Sequence, residues 1–231
     1  MDNIESHSVI LQSIISMGRF ADFFRNRVEQ WQKGIGMVEL VLKMWINVMQ
    51  QWSSLYSIFK GSADIQSQLP ETTAEFTKID QRFRKMMELA QGFRKVKTCC
   101  ESKYFHNTLK SYLIPKLESC QKDLSMYLDE KKKIFPRFYF LSEPTLLAIL
   151  SNGSEPKAVV PYIGDCYGNL KSVHFDPDEE NVAIRMQSKD GEIVDFDKNF
   201  VIDPKKGVEN YLNDLTKAMQ SALQNDLFKA N

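Results

Sequence analysis

The side chains best suited to covalent chemistry are the adjacent thiols Cys99 and Cys100, with His106 close behind them in the chain. Neighbouring cysteines rarely close a relaxed disulfide, so the pair indicates buried or loop thiols more strongly than a reactive pair. His106 could bind a metal or transfer a proton only with a partner such as Cys100 or Glu101 in a defined pocket, and a surface histidine is the simpler interpretation.

The remaining metal-binding side chains are scattered along the sequence. No two histidines have the i, i+4 spacing that places both rings on one helix face, and the cysteines show no CxxC pairs. These residues are His7, His106, His174, Cys99, Cys100, Cys120 and Cys166. We therefore expect no metal site, and we expect reduced thiols as in a cytosolic protein.

Nucleotide binding of the P-loop type needs Gly-x-x-x-x-Gly-Lys-Ser/Thr between a strand and a helix, because backbone amides and the lysine surround the phosphates. Gly34-Ile35-Gly36 and Lys205-Lys206-Gly207 lack the remaining positions of that pattern.

The 30 Lys and Arg balance the 30 Asp and Glu, so the net charge gives no indication of binding to nucleic acid or anionic lipid. No run approaches the ~18 apolar residues of a membrane span. We expect a soluble, cytoplasmic chain with protein partners.

These groups must be positioned by helices, because apolar residues recur every three or four positions along most of the chain. The first stripe is Phe20, Phe24, Val28, Trp31, Ile35, Val38, Leu42, Trp45, Met49, Trp52, Tyr56 and Phe59. It predicts a helix of about forty residues, roughly 60 Å long, that Gly34 and Gly36 could break or bend. A base-stacking platform is the alternative for its aromatic residues, but helical spacing without interleaved arginines favours a helix-bundle core.

Further helices are predicted after the break at Gly61-Ser62. One follows Leu69-Pro70, and the next carries Pro115, which predicts a kink or a new start; we favour the kink. Asp190-Gly191 predicts a tight hairpin turn between two alternating segments. The predicted fold is mainly α: an elongated antiparallel helix bundle with a small β-hairpin near residues 172–196, divided into residues 1–134 and 135–231. Met1 and the end at Asn231 both adjoin helical patterns, so we expect the chain to be cut from something longer.

An aromatic connector, defined as Phe135 to Ser142, separates two of these helices. It places four aromatic rings in six residues behind a proline that cannot continue the preceding helix, which predicts a buried segment and a rigid corner. Ser142 and Pro144 predict the start of the next helix. Lys131-Lys132-Lys133, just before the connector, is expected to be solvated and to complement the helix dipole, with docking on an acidic partner as the alternative.

Three stretches in order resemble dynein heavy chains, in the region before the motor ring. The first is similar to the pattern W..VQ..W..LE.IF, but Met49 replaces its glutamine and Tyr56 its glutamate. The second, GSADIQSQLP, is close to SEDI..QLP, and the third is the connector FPRFYFLS with the lysines before it. The signature residues are Trp45, Trp52, Phe59, Leu69, Pro70, Phe135, Pro136, Arg137, Phe138, Tyr139, Phe140 and Leu141.

The resemblance implies a piece of the linker, a helical rod across a ring of six AAA+ modules, most similar to axonemal members. Such a linker bends and straightens as the ring hydrolyses ATP, so the implied role is a mechanical lever in ciliary or flagellar beating. ATP and Mg would reside in the parent ring, with no cofactor or enzymatic activity in this chain. Implied partners are the ring of the same heavy chain, with Asp190 and Gly191 as a candidate contact, and other dynein chains; microtubules are reached only through the parent.

Two other classes of protein remain as alternatives. A spectrin-like or coiled-coil scaffold explains the apolar stripes but neither the connector nor the hairpin. An enzyme of another type lacks a convergent polar cluster. A scaffold would form an elongated oligomer, whereas the linker piece is expected to be a monomer without nucleic acid or membrane partners.

Overall fold

The computed structural model describes residues 2–179 and 181–230, without the side chains of residues 197–199 and 230. Met1 and Asn231, at the two ends of the chain, therefore lie outside the described residues. The fold is mainly α, as the sequence predicts, with one small antiparallel sheet. The helices are α1 (Asp2–Ser16), α2 (Arg25–Gly61), α3 (Ala63–Gln68), α4 (Pro70–Gln91), α5 (Val96–Cys100), α6 (Lys103–Thr108), α7 (Ile114–Ile134), α8 (Glu143–Ser151), α9 (Pro156–Cys166) and α10 (Val208–Ala230).

Internal contacts divide the chain into two units. The first unit contains Met1–Ser57 and Glu71–Lys122, and the second contains Ile58–Pro70 and Asp123–Asn231. The boundary that we predict between residues 134 and 135 stays a prediction.

Helix α2 is unbroken over 37 residues, so the break that the sequence allows at Gly34 and Gly36 does not occur. Gly34 is buried where α5 approaches, and a Cβ there would lie 2.8 Å from Lys97 Cε. Apart from its chain neighbours and the nearby helix backbone, a Cβ on Gly36 would meet no described atom within 4 Å. Gly34 thus serves close packing, whereas Gly36 lies in open space.

The covered face of α2 follows alternating steps of three and four residues. Its members are Val38, Val41, Trp45, Val48, Trp52, Leu55 and Phe59, of which the two tryptophans are half-buried and the others buried. Four of these residues belong to the predicted stripe: Val38, Trp45, Trp52 and Phe59. At the other three positions the prediction is wrong by one residue, since Val41, Val48 and Leu55 are buried in place of Leu42, Met49 and Tyr56. At the N-terminal end Phe20 and Phe24 are exposed, contrary to the prediction. A 3–4 alternation keeps one seam of a helix facing its neighbours.

In the first unit, helix α4 supplies the apolar residues Phe76, Ile79, Phe83 and Met86, all buried. The predicted kink region at Pro115 is preceded by a π-helical turn over Leu109–Leu113. The backbone stays helical into α7. Proline has no amide hydrogen to donate, and the i→i+5 hydrogen bonds of a π-helical turn let the helix continue without that hydrogen bond. Leu109, Leu113 and Leu117 remain buried across this irregularity.

In the second unit, β1 (Leu170–Phe175), β2 (Val182–Ser188) and β3 (Ile193–Val201) form an antiparallel sheet in the order β1-β2-β3. The predicted hairpin is β2 and β3, and β1 adds a third strand. Gly191 has φ of +92° in the connecting turn, a conformation that glycine adopts without strain. Helix α10 packs against β3, and α9 packs against β1.

Ser142 begins α8 as the sequence predicts, because its side chain accepts a hydrogen bond from the Thr145 backbone N–H. Pro161 lies inside α9, which remains one helix over Pro156–Cys166. Within residues 2–179 and 181–230, no helix combines the length and the apolar character needed to cross a membrane.

Replacement of Gly36 by alanine should raise the free energy of unfolding by about 1 kcal/mol, because alanine favours the helix and the new methyl group meets no neighbour. Gly34→Ala should gain less, since the end of the Lys97 side chain must move away. Urea unfolding followed by far-ultraviolet circular dichroism measures both variants. A destabilised Gly36→Ala protein would show that α2 is not continuous at this point.

Candidate functional site

Trp45 fastens α2 within the first unit by two kinds of contact. Its indole Nε1 donates a hydrogen bond to Met87 Sδ at 3.3 Å, and its ring stacks on Phe105 with centroids 5.6 Å apart and planes 15° apart. A half-buried indole that satisfies its N–H while stacking contributes both apolar area and orientation. Trp45 therefore links α2 to α4 and to α6.

Trp52 repeats this arrangement two turns later. Its Nε1 donates to Asp80 Oδ1 at 3.0 Å, and its ring packs on Phe83 with centroids 4.9 Å apart. Arg84 donates to the same oxygen from Nε at 2.9 Å, and its guanidinium lies 5.6 Å from the Trp52 ring. Asp80 is 9% exposed, so these donors offset the cost of burying its carboxylate.

Phe59, Leu69 and Pro70 lie around the short helix α3. Phe59 is fully buried, and its carbonyl accepts a hydrogen bond from Gln66 Nε2 at 2.9 Å. Leu69 ends α3, and Pro70 is the first residue of α4, where a missing amide hydrogen costs no hydrogen bond. These three signature residues therefore define a tight helical turn.

The aromatic connector folds as a 3₁₀ turn over Pro136–Phe140. Phe135 and Phe138, three positions apart, are buried and meet edge to face at 4.9 Å. Tyr139 and Phe140 are 61% and 77% exposed, so the prediction of a wholly buried connector is wrong for this pair. A helix of three residues per turn directs positions i and i+3 to one face, which leaves the intervening rings outside.

Arg137 links the aromatic connector to the C-terminal end of α9. Its Nη1 donates to the carbonyl of Cys166 at 3.3 Å, and its guanidinium lies 4.8 Å from the centre of the Tyr167 ring. Cations near a helix C-terminus satisfy free carbonyls and interact favourably with the helix dipole. Pro136 is exposed at the start of the turn, and Leu141 is half-buried at its end.

Tyr167 carries this linkage on to α10. Its hydroxyl lies 2.6 Å from Thr216 Oγ1, and burial raises the pKa of Tyr167 to about 12. Its ring also lies 6.4 Å from that of Phe135. Within the described part of the chain, neither hydroxyl forms a hydrogen bond with an acidic or basic side chain that could activate it as a nucleophile, and we interpret the contact as structural.

A buried ion pair, not predicted from the sequence, joins Lys131 near the end of α7 to Glu209 in the first turn of α10. Their side chains are only 15% and 5% exposed, so the expectation that the lysine cluster is solvated is wrong for Lys131. Gly207 has φ of +84°, and a Cβ there would lie 3.1 Å from Glu209 Oε1. The sequence signal that could have indicated this site is Glu209 itself, an acidic residue in the first turn of a helix.

The cysteines are free and buried, in agreement with the interpretation as structural thiols. Burial raises the pKa of Cys100 to about 11, so almost none of it is thiolate at neutral pH. Among the described residues, no three His, Cys, Asp or Glu side chains form a group that could hold a metal ion.

Asp190 and Gly191 lie in the exposed turn between β2 and β3. Asp190 Oδ2 accepts a hydrogen bond from Asn169 Nδ2 at 3.3 Å, which orients the turn. Their contact with a ring module stays a prediction.

Phe138→Ala should lower the free energy of unfolding by about 3–5 kcal/mol, because Phe138 is fully buried against Phe135. Phe140→Ala is the matched control within the same turn, and its exposed ring should contribute less than about 0.5 kcal/mol. Chemical denaturation compares the two variants. A loss below about 1 kcal/mol for Phe138→Ala would show that the connector is not packed.

Lys131→Met should cost about 3–5 kcal/mol, because it leaves the Glu209 carboxylate buried without a cation. The double variant Lys131→Met/Glu209→Leu should recover most of this loss, since it removes both buried charges. A double-mutant cycle in urea unfolding measures the coupling, with Lys133→Met as an exposed control. Additive losses would contradict a direct pair.

Comparison with known proteins identifies the family of this chain. The family described as dynein heavy chain, N-terminal region 2, matches residues 1–230. The chain is 35% identical over 233 residues to the dynein beta chain of the flagellar outer arm of Chlamydomonas reinhardtii, covering 99% of this chain and 5% of that protein. It is 35% identical over 234 residues to dynein axonemal heavy chain 17 of Mus musculus and 34% identical over 235 residues to dynein axonemal heavy chain 9 of Homo sapiens. These two matches cover 100% and 97% of this chain and 5% of each relative. The chain belongs to the dynein heavy chain N-terminal region 2 family.

Proposed function

We propose that this chain is a linker segment of an axonemal dynein heavy chain, a mechanical lever that carries ATP-driven rearrangement of the motor ring into microtubule-based motion. The observation that supports it most is α2, which stays helical over 37 residues. Such a helix measures about 55 Å at ~1.5 Å per residue. Force transmission over that distance requires a body that does not yield along its length.

Lateral contacts give α2 that resistance within the first unit. Trp45 and Trp52 hold it through hydrogen bonds and ring packing to Met87, Asp80 and Phe83. Burial of each large side chain contributes about 1.5–3 kcal/mol, so local bending would expose apolar area and break polar contacts together. Contacts of this kind support a lever better than they support a catalyst.

The relatives support placing this lever in cilia or flagella, since their names describe axonemal and flagellar outer-arm dyneins. Because the chain spans only 5% of those proteins, motor activity belongs to the proposal for the parent heavy chain. ATP and Mg would act in the parent ring, and this chain would itself hydrolyse no nucleotide. Its partners would be the AAA+ ring, contacted in part through Asp190 and Gly191, and other dynein chains.

A spectrin-like or coiled-coil scaffold is the competing function. The 3–4 seam of α2 fits a coiled coil, but the three-stranded sheet and the 3₁₀ connector have no role in one. Analytical ultracentrifugation separates the two functions, because a scaffold should form an elongated oligomer and a linker segment should be monomeric.

Gly36→Pro in the parent heavy chain should slow microtubule gliding several-fold while ATP hydrolysis by the ring continues. Proline inside a helix costs about 3 kcal/mol and interrupts the lever without touching a catalytic group. Gly36→Ala is the matched control, which should keep normal gliding. Motors with equal ATP turnover and unchanged gliding would contradict the lever.

A further inference from the structure

The first unit contains an apolar trough to which the proposed lever function assigns no role. It has a volume of about 360 Å³ and is lined by residues of α2, α4, α5 and the segment between α4 and α5, among them Trp45, Ile46, Ala90, Phe93, Val96 and Cys99. That volume lies within the range of roughly 300–1,000 Å³ that is typical of ligand pockets. We call this feature the α2–α5 trough.

The walls of the α2–α5 trough are fixed in place. Trp45 is held by Met87 and by stacking on Phe105, and the Phe93 ring meets Phe105 edge to face at 5.5 Å. The side chains at its opening remain accessible, since Val96 is 59% exposed and Ile46 40% exposed. A rigid apolar surface of this kind loses little conformational entropy when a partner binds.

Two cations accompany this apolar surface. The exposed side chains of Arg94 and Lys95 also line the α2–α5 trough, and none of the carboxylates that the structure describes lines it. Among the described residues neither cation forms an ion pair, whereas nearby Lys97 pairs with Glu101. The trough therefore combines apolar depth with uncompensated positive charge at one side.

We propose that the α2–α5 trough binds an acidic amphipathic helix of a protein partner. Apolar side chains of that helix, spaced by three and four residues, fill the trough, and carboxylates beside them face Arg94 and Lys95. A second copy of this chain fits less well, because a symmetric contact between identical patches would bring the same cations together. A bilayer fits less well because a concave surface receives separate side chains rather than a flat interface.

A selection experiment on the intact 231-residue chain tests this proposal. The probe is a displayed library of helical peptides of about five turns (~18 residues), with leucine or phenylalanine fixed at i, i+3, i+4 and i+7 and each flanking position varied between Glu and Lys. The wild-type chain should enrich glutamate at the flanking positions. Arg94→Glu/Lys95→Glu should enrich lysine instead. Fluorescence anisotropy of an enriched acidic peptide should show at least about tenfold weaker binding to this variant.

Two controls separate trough binding from general charge attraction. Lys85→Glu/Lys110→Glu makes the same charge change at exposed sites outside the trough and should leave the acidic peptide bound. Ala90→Phe should fill the trough and abolish binding while circular dichroism shows an intact helical fold. An Ala90→Phe protein that is unfolded leaves the charge-reversal exchange as the deciding result.

Three outcomes would overturn the proposal: no enrichment on any variant, the same enriched charges on wild type and charge-reversed protein, or enriched peptides that Ala90→Phe in its folded form still binds. Binding of anionic vesicles or self-association without peptide enrichment would assign the trough to a membrane or to a second copy instead. The experiment needs no motor activity, so its result is independent of the proposed lever.

Discussion

The covering of one face of α2 is the constraint on which the first unit depends. Intrahelical hydrogen bonds alone leave isolated helices marginal in water, and most helical stability in proteins comes from tertiary packing. Val41, Val48 and Leu55 lie seven residues apart on the buried face. Trp45 and Trp52 occupy the alternate positions and add directional hydrogen bonds. The valines and the leucine bury apolar surface, and the hydrogen bonds of the tryptophans determine which helix packs against this face.

Most of the helices were readable from the sequence because their signals are local. Ser142 before Glu143-Pro144 marked the start of α8, and Leu69-Pro70 marked the start of α4. Errors arose where a tertiary contact decides between two local solutions. Gly34 lowers helix propensity by about 1 kcal/mol, but it also permits the approach of Lys97, and packing outweighs propensity. Likewise Leu42, Met49 and Tyr56 each lie one position from the residue that is buried. The predicted and the observed sets both alternate steps of three and four, so apolar spacing alone does not decide which of two adjacent residues faces the core.

For the candidate site, the sequence indicates which apolar side chains could pack but not which neighbours they contact. Local patterns mark Trp52 and Phe138 as apolar anchors, and both have the packing that anchors need. The pairing of Lys131 with Glu209 joins positions far apart in the chain, and nothing in a lysine triplet indicates which member turns inward. The exposure of Phe140 follows from the 3₁₀ geometry of the connector, a conformation that aromatic content alone does not specify.

Polar contacts around the connector act on geometry more than on stability. Replacing a buried ion pair by well-packed apolar residues is often neutral or stabilising. Lys131 and Glu209 therefore add little net stability compared with two apolar side chains at the same positions. They do restrict how the end of α7 and the start of α10 can be placed, as a charge buried without its partner is costly. Arg137 and Tyr167 restrict the end of α9 in the same way, through the carbonyl of Cys166 and the hydroxyl of Thr216. Because apolar packing alone tolerates small slips while these contacts have specific directions, the second unit gains one preferred arrangement of its helix ends. Such an arrangement is what the lever that we propose would require of a rigid corner.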